Sequence, residues 1–493
     1  DYRTADLRLD TAELLDKPLS QVSDDEIELV RSQYARDWRE WPWQKGAPFY
    51  DRDGDGRFDP DVDEPSFRNL DCRASVEACA NNADQIAWFV VNDLNRGATS
   101  ALYGSKPIGL EMQLTLWGYA RTNAMGDAIF KRYKLLYKGT AETSADAEIP
   151  EMYLALWSDP DIGDFGDDFA GSDTELDLGY VYNANPDDDH YRVFELPPPA
   201  VGYDLLQGPA VPAAEGTGVF DFRRRQGIRN LPMTSFVYFA AGSAVDDPQL
   251  GRYSGTQEWF NLLRGFQPQP NVVEPVPFTD PNSGEDSFFA LDGDPATGSG
   301  WVDGVPLPPG DRRIVMNTGP FAMALNDSQE VVVALLAGLG GDHLRSINRL
   351  KFTDRFVQEA YDGFFEVPAP PPGPAVRAAV GDRAIALDWG FDPAAIEQTE
   401  SSRAGTFLFE GYNVYQFPSL EADLSQAVRL ATFDLDNGTT IVLHRELDDP
   451  SGAILDLPQQ IGTDSGLRWL HRLSRDALRN EPLINGQPYY FAV

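Results

Sequence analysis

Apolar residues recur at every second position in three stretches of the first half of the chain: residues 109–119 (GLEMQLTLWGY), 128–137 (AIFKRYKLLY) and 152–157 (MYLALW). A period of two places alternate side chains on one face of a strand, and β-branched and aromatic residues suit a pleated surface, so antiparallel strands with one wet face are predicted. Residues 235–241 (SFVYFAA) and 330–336 (EVVVALL) read as further strands. Helical spacing is rarer. Ser23-Asp-Asp-Glu26 has the pattern of a capping box and is followed by Ile27, Leu29, Val30 and Tyr34, which predicts a short acidic helix. Leu344, Ile347, Leu350, Phe356, Val357 and Ala360 can share one face, which predicts a second helix over 344–361. The longest apolar run, residues 331–341 (VVVALLAGLGG), has the length of a strand or short helix, so no helical bilayer span is expected.

Between the periodic segments the chain is rich in Asp, Gly, Asn and Pro, notably over 51–95, 158–204 and 267–313. Stretches of that length without periodicity are uncommon unless functional or ordered by a metal. Residues 367–374 (VPAPPPGP) read as a stiff extended linker, after which short strands follow at 384–389, 409–416 and 489–493, the last behind the turn signal Asn485-Gly486. The organisation expected is a helical segment 1–45, a β-rich calcium-binding domain 46–366, the linker 367–374 and a second β domain 375–493. The chain starts at Asp1 and stops within a strand-like run, so both ends are expected to be cuts in a longer protein.

Charge narrows the partners. The 493 residues carry 78 Asp plus Glu against 40 Lys plus Arg, a formal charge of −38. A surface this acidic repels phosphate backbones and anionic lipid, which argues against nucleic acid and membrane insertion and in favour of metal cations. Cys72 and Cys79, seven apart in a segment of small and polar residues, permit a local disulfide; two unrelated thiols are the alternative.

The acidic residues are not evenly spread. Asp51-Arg-Asp-Gly-Asp-Gly-Arg-Phe-Asp-Pro-Asp-Val-Asp63 alternates carboxylates on a loop that Gly56 allows to turn tightly. Calcium takes six to eight oxygens at about 2.3–2.6 Å, and such alternation converges on one centre. Val62 stands where an EF-hand has a bidentate Glu, so a free-standing Ca²⁺ loop is expected, with Asp51, Asp53, Asp55, the Arg57 carbonyl, Asp59 and Asp63 as ligands. A second run holds Asp159, Asp161, Asp164, Asp167, Asp168 and Asp173, followed by Asp177, spaced by glycines. So many carboxylates repel unless a cation offsets them, and a second calcium site is expected there, against a solvated acidic loop as the alternative.

Signs of catalysis are few. His190, His343, His444 and His471 fall in no zinc-enzyme pattern, and no nucleophile elbow, P-loop or dinucleotide fingerprint occurs. A glycosidase needs only two carboxylates, so a carbohydrate-active or carbohydrate-binding ectodomain stays open, with Trp41, Trp43, Trp259 and Trp301 as candidates to stack on sugar rings.

Two resemblances follow from these residues. The proline linker, the strand ending in Trp389, the Gly-Tyr-x-Val-Tyr strand at 411–415 and the Tyr-Tyr-Phe-Ala-Val strand at 489–493 resemble strands B, C and F of a fibronectin type III module. That resemblance implies a seven-stranded sandwich whose strand G is missing here or comes from another chain, with 390–408 and a helix-like 464–480 as long insertions. The strings GAPFYDRDGDGRFDPDVDEP, YGSKPIGLE, IFKRYKL, MYLALWSDPDIGDFGDDFAGSDTELDLGYVYN, PPPAVGYDLLQGP and NLPMTSFVYF resemble large secreted bacterial surface proteins that carry fibronectin-type modules and a type IX secretion sorting domain. That resemblance implies export, a cell-surface location and no assigned enzymatic activity. The expected fold is mostly β: an antiparallel, sandwich-like N-terminal domain with long acidic loops and few helices, then a fibronectin type III-like sandwich. The expected role is a non-enzymatic, calcium-stabilised structural or adhesive protein that assembles with itself, with other surface proteins or with glycans.

Overall fold

Val331, Val332, Val333, Ala334 and Leu336 are each at most 1% exposed, so this run is covered on both faces and sits inside a sheet rather than on one. The computed structural model describes the chain apart from residues 1, 4–5, 72–82, 122–123, 241–242, 244, 306, 366–372, 405–406, 421, 423 and 449–452. Cys72 and Cys79, with their expected disulfide, and residues 367–372 of the linker lie outside the described residues. The protein is mostly β, with 38% strand and 19% helix. It divides into two units, Asp1–Phe364 and Phe365–Val493.

In the first unit, ten strands form two sheets: β1 (Gln85–Asn92), β2 (Leu110–Gly118), β3 (Ala128–Tyr137), β4 (Glu148–Ser158), β5 (Asp168–Asp173), β6 (Leu178–Asn183), β7 (Ala200–Gln207), β8 (Ser235–Ala240), β9 (Arg312–Ala324) and β10 (Ser328–Gly338). A seven-stranded antiparallel sheet runs β1-β2-β3-β10-β7-β6-β5, and a three-stranded one runs β8-β9-β4. Leu135, Val181, Leu205, Val331 and Val333 of the first meet Phe236, Val237, Ile314, Met316 and Leu154 of the second in one core.

The opposite face of the large sheet is covered too. Helix α2 (His343–Asp362) lies on β10, β7 and β6 and buries Ile347, Leu350, Asp354, Val357 and Tyr361 at helical spacing. Asp342 caps it, accepting from the Leu344 and Arg345 amides at 3.0 and 2.9 Å. Gly338 permits the approach, since a Cβ there would lie 2.3 Å from the Leu350 nitrogen. Beside it Trp117 stacks on Phe67 and Phe130, with ring centroids 4.7 and 5.4 Å away. The wet face predicted for β2 is therefore absent: Gln113, Thr115 and Trp117 are buried on one side while Leu110 and Met112 pack on the core at the other.

Ahead of the sheets, α1 (Asp24–Arg39) starts on the predicted capping box: Glu26 Oε2 accepts the Ser23 amide at 3.0 Å, and Ser23 Oγ accepts the Glu26 amide at 3.4 Å. A shorter helix, Arg8–Leu14, precedes it.

The second unit holds two three-stranded sheets. One is β11 (Arg377–Gly381), β12 (Ala384–Asp388) and β15 (Leu470–Leu473) with β12 central; the other places β13 (Gly411–Phe417) between β14 (Val428–Asp434) and β16 (Tyr490–Ala492). Leu387, Trp389, Tyr412, Val414, Phe433 and Leu473 make their common core. Residues 464–480, which read as helix-like, instead supply β15, because Leu470 and Leu473 pair with Asp388 and Ile385. Long-range pairing overrides the local pattern here. The insertion 390–408 carries a short helix α3 (Pro393–Glu400), with Pro393 in its first turn and Asp392 capping it.

Candidate metal sites

Strand Phe49–Asp51 leads into the first acidic loop and Glu64–Pro65 leads out, pairing antiparallel as Tyr50↔Glu64, so Asp51 and Asp63 meet across the neck. Gly54 and Gly56 adopt φ of +72° and +78°, which lets the chain curl until both of their amides donate to the Asp51 carboxylate, at 2.5 and 2.9 Å. Asp63 accepts the Arg52 and Asp59 amides at 2.9 and 2.8 Å and is only 1% exposed. Phe58 packs against Phe49, and the Trp38 indole donates to the Pro60 carbonyl at 3.0 Å, which pins the loop from outside.

One oxygen each of Asp51, Asp53 and Asp63 lies within 4.8 Å of the others. Burial, with the charges of Asp51 and Asp53, pushes the Asp63 carboxyl above the usual range. Asp55, Arg57 and Asp59 lie exposed on the same loop outside this triad; Asp55 accepts the Arg57 amide at 2.7 Å and Asp59 the Asp61 amide at 3.0 Å. Three convergent carboxylates are a hard, all-oxygen donor set of the kind Ca²⁺ takes.

The second run disperses. Asp159 and Asp161 join Asp311, from the end of the later acidic stretch, in another group with oxygens within 4.8 Å. A guanidinium already sits there: Arg313 reaches Asp159 at 3.0 Å, Asp311 at 2.8 Å and Asp247 at 2.8 Å. A cation would compete with it. Asp164 accepts the Gly166 amide at 2.9 Å, and Asp167 accepts from the side chains of Asn183 and Asn185 at 3.1 and 2.8 Å. Asp173 pairs with Lys351 at 2.8 Å. Asp168 is fully buried, accepts the Ile162 amide at 3.1 Å and is pushed by burial up to about 8. Asp177 accepts the Met233 amide at 3.1 Å and is raised by burial to about 6.

Sequence reasoning missed a pair of buried acids. Asp204 of β7 and Asp354 of α2 are 0% and 1% exposed and face each other between sheet and helix. Neither Asp204 oxygen has a donor among the described residues, nor has Asp354 Oδ1. The available signal was an aspartate standing alone in the apolar run AVGYDLLQ and another at an inward helix position.

The tryptophans nominated for sugar stacking serve packing. Trp301 is 3% exposed, Trp259 lies edge-on to Phe239, Trp41 donates to the Pro48 carbonyl at 2.9 Å and Trp43 meets Phe49 edge-on. Among the described residues no helix is long and apolar enough to cross a membrane. Compared with known proteins, the chain matches no family model and no curated relative.

Proposed function

We propose that this chain is a non-enzymatic, calcium-stabilised structural or adhesive protein of the extracellular bacterial surface, assembling with copies of itself or with other surface proteins. The observation that carries the reading is the convergence of Asp51, Asp53 and Asp63 on a loop turned by two left-handed glycines. Without a cation, these three carboxylates and an overall charge of −38 repel one another; with Ca²⁺ bound, that repulsion becomes coordination. The Asp159, Asp161 and Asp311 group is the weaker site, since Arg313 already offsets part of its charge.

Two further features support the finer fold assignment. The large and small sheets of the first unit share one core, as in a sandwich. In the second unit the pairing order β11-β12-β15 against β14-β13-β16 is what the resemblance to a fibronectin type III module implies for strands A-B-E and C′-C-F. Secretion of the type IX kind and a cell-surface location belong to the same proposal and rest on the sequence resemblance.

Thermal unfolding with and without chelator tests the calcium reading. At Ca²⁺ about 100 times the dissociation constant, binding contributes about 2.7 kcal/mol of stability, so the midpoint of the first unit's transition is expected to rise on adding Ca²⁺. An unchanged midpoint after complete chelation contradicts it.

A further inference from the structure

The second unit carries a cleft that the calcium reading does not use. It is open to solvent, encloses about 530 Å³ and is lined by Gly390, Pro393, Ile396, Glu397, Glu400 and Trp469, with Ser401 at its edge. That volume is in the range of small-ligand sites.

Trp469 is 43% exposed, with Trp157 at 48% one of two large exposed indoles among the described residues, and the one that borders this cleft. Its position is fixed rather than loose. The indole N–H donates to Glu400 Oε1 at 2.7 Å, its carbonyl accepts the Trp389 amide at 3.0 Å, and Gly390 lies so close that a Cβ there would be 2.6 Å from the Trp469 Cβ. Glu400 Oε1 also accepts the Tyr412 hydroxyl at 3.0 Å, whereas Oε2 takes no hydrogen bond from any described residue. Glu397 stands one turn earlier on α3, exposed, and its carboxylate and the Ser401 hydroxyl likewise bond to no described residue. Pro393, Glu397, Glu400 and Ser401 recur at helical spacing, so α3 presents them together to the indole.

A rigid, half-exposed aromatic plane beside unspent carboxylate and hydroxyl acceptors matches the two faces of a pyranose: axial C–H groups stack on the ring while hydroxyls donate to the acceptors. The charge selects further. No Lys or Arg lines the cleft among the described residues, and two glutamates in a chain of −38 repel uronate or sulfate groups. We propose that this cleft binds a pyranose ring of a glycan free of anionic substituents, with Trp469 as the stacking platform and Glu397 and Glu400 as acceptors, and that an amino-bearing sugar binds more tightly than a neutral one. This goes beyond the calcium reading and stands or falls separately, because the cleft and the Asp51 loop belong to different units.

The test is calorimetric titration of the full chain with three hexasaccharides: hexaglucosamine, cellohexaose and hexagalacturonate. Hexaglucosamine is expected to bind most tightly, cellohexaose more weakly and hexagalacturonate not at all. Trp469→Ala is expected to weaken binding at least tenfold. Glu397→Lys changes an exposed side chain that bonds to no described residue, so it is expected to leave the melting transition unmoved while reducing hexaglucosamine binding at least tenfold. The inference is overturned if none of the three sugars binds at millimolar concentration, if hexagalacturonate binds best, or if a folded Glu397→Lys protein binds hexaglucosamine as the parent does.

Discussion

Replacing Arg132 by methionine is expected to destabilise the first unit by about 3–5 kcal/mol. Arg132 projects from β3 at 5% exposure into the layer between the large sheet and the segment preceding β8. Its Nε donates to Glu330 at 2.8 Å, its Nη2 donates to Asp221 at 2.7 Å and again to Glu330, and the guanidinium lies 5.2 Å over the Phe222 ring. Glu330 on β10 is fully buried and also accepts the Asp221 amide at 3.1 Å and the Gln207 amide group at 3.3 Å. Removing the arginine leaves that carboxylate charged or forces it to take up a proton, and both are costly at a fully buried position. The double variant Arg132→Met/Glu330→Leu removes both charges and should recover most of the loss. Urea unfolding followed by tryptophan fluorescence measures both; a single variant that loses less than about 1 kcal/mol would show that the pair contributes little to stability.

The second large effect concerns pH. A proton held between Asp204 and Asp354 is the only hydrogen bond available to the Asp204 carboxyl among the described residues. The groups around the pair do not replace it: Asp177 and Asp362 add negative charge, Asp173 is spent on Lys351, and Arg355 acts on Asp354 only from a distance. Burial therefore raises both carboxyls, Asp354 to about 8 and Asp204 well above its ordinary value. A folded-state pKa above the unfolded value of about 3.9 means that the folded chain binds the proton more tightly. Stability from this source is full below about pH 4 and falls as pH rises, by about 1.4 kcal/mol per unit for each retained proton, until the folded pair itself titrates. Asp168 and Asp177 act in the same direction. Asp204→Asn supplies a permanent donor to Asp354, so it should raise stability at pH 8 and flatten the slope between pH 5 and 8. Equal slopes for parent and variant would contradict the shared proton.

How far the sequence carried this picture differs by element. Alternation located β2, β3 and β4, and the capping box located α1 at Ser23, because both are local signals. The same alternation misjudged the wet face of β2: Gln113 and Thr115 look solvent-bound in sequence, yet the Phe67, Trp117 and Phe130 stack and the segment at Lys45 and Gly46 lie on that side. Residues 464–480 failed for a related reason, since β15 exists only through its pairing with β12. At the Asp51 loop, the close spacing put Asp51, Asp53 and Asp63 within reach of one another, whereas Asp55, Arg57 and Asp59 lie on the exposed part of the loop outside that group. The 159–177 run shows the limit of proximity in sequence: Asp311, more than a hundred residues away, joins Asp159, whereas Asp164 and Asp173 hold turns and an ion pair instead. Trp469 could not have been singled out, because nothing local marks which of ten tryptophans the fold leaves exposed beside a cleft.

The central claim is that the Asp51 loop binds calcium. Isothermal titration of Ca²⁺ into the chelator-stripped chain measures it most directly, alongside the variant Asp51→Asn/Asp53→Asn, which keeps the loop's length and its glycines. The account predicts a saturable site in the parent that the variant loses, with any weaker binding at Asp159, Asp161 and Asp311 left in place. Parent and variant isotherms that superimpose, or a parent that takes up no calcium at millimolar concentration, would contradict it.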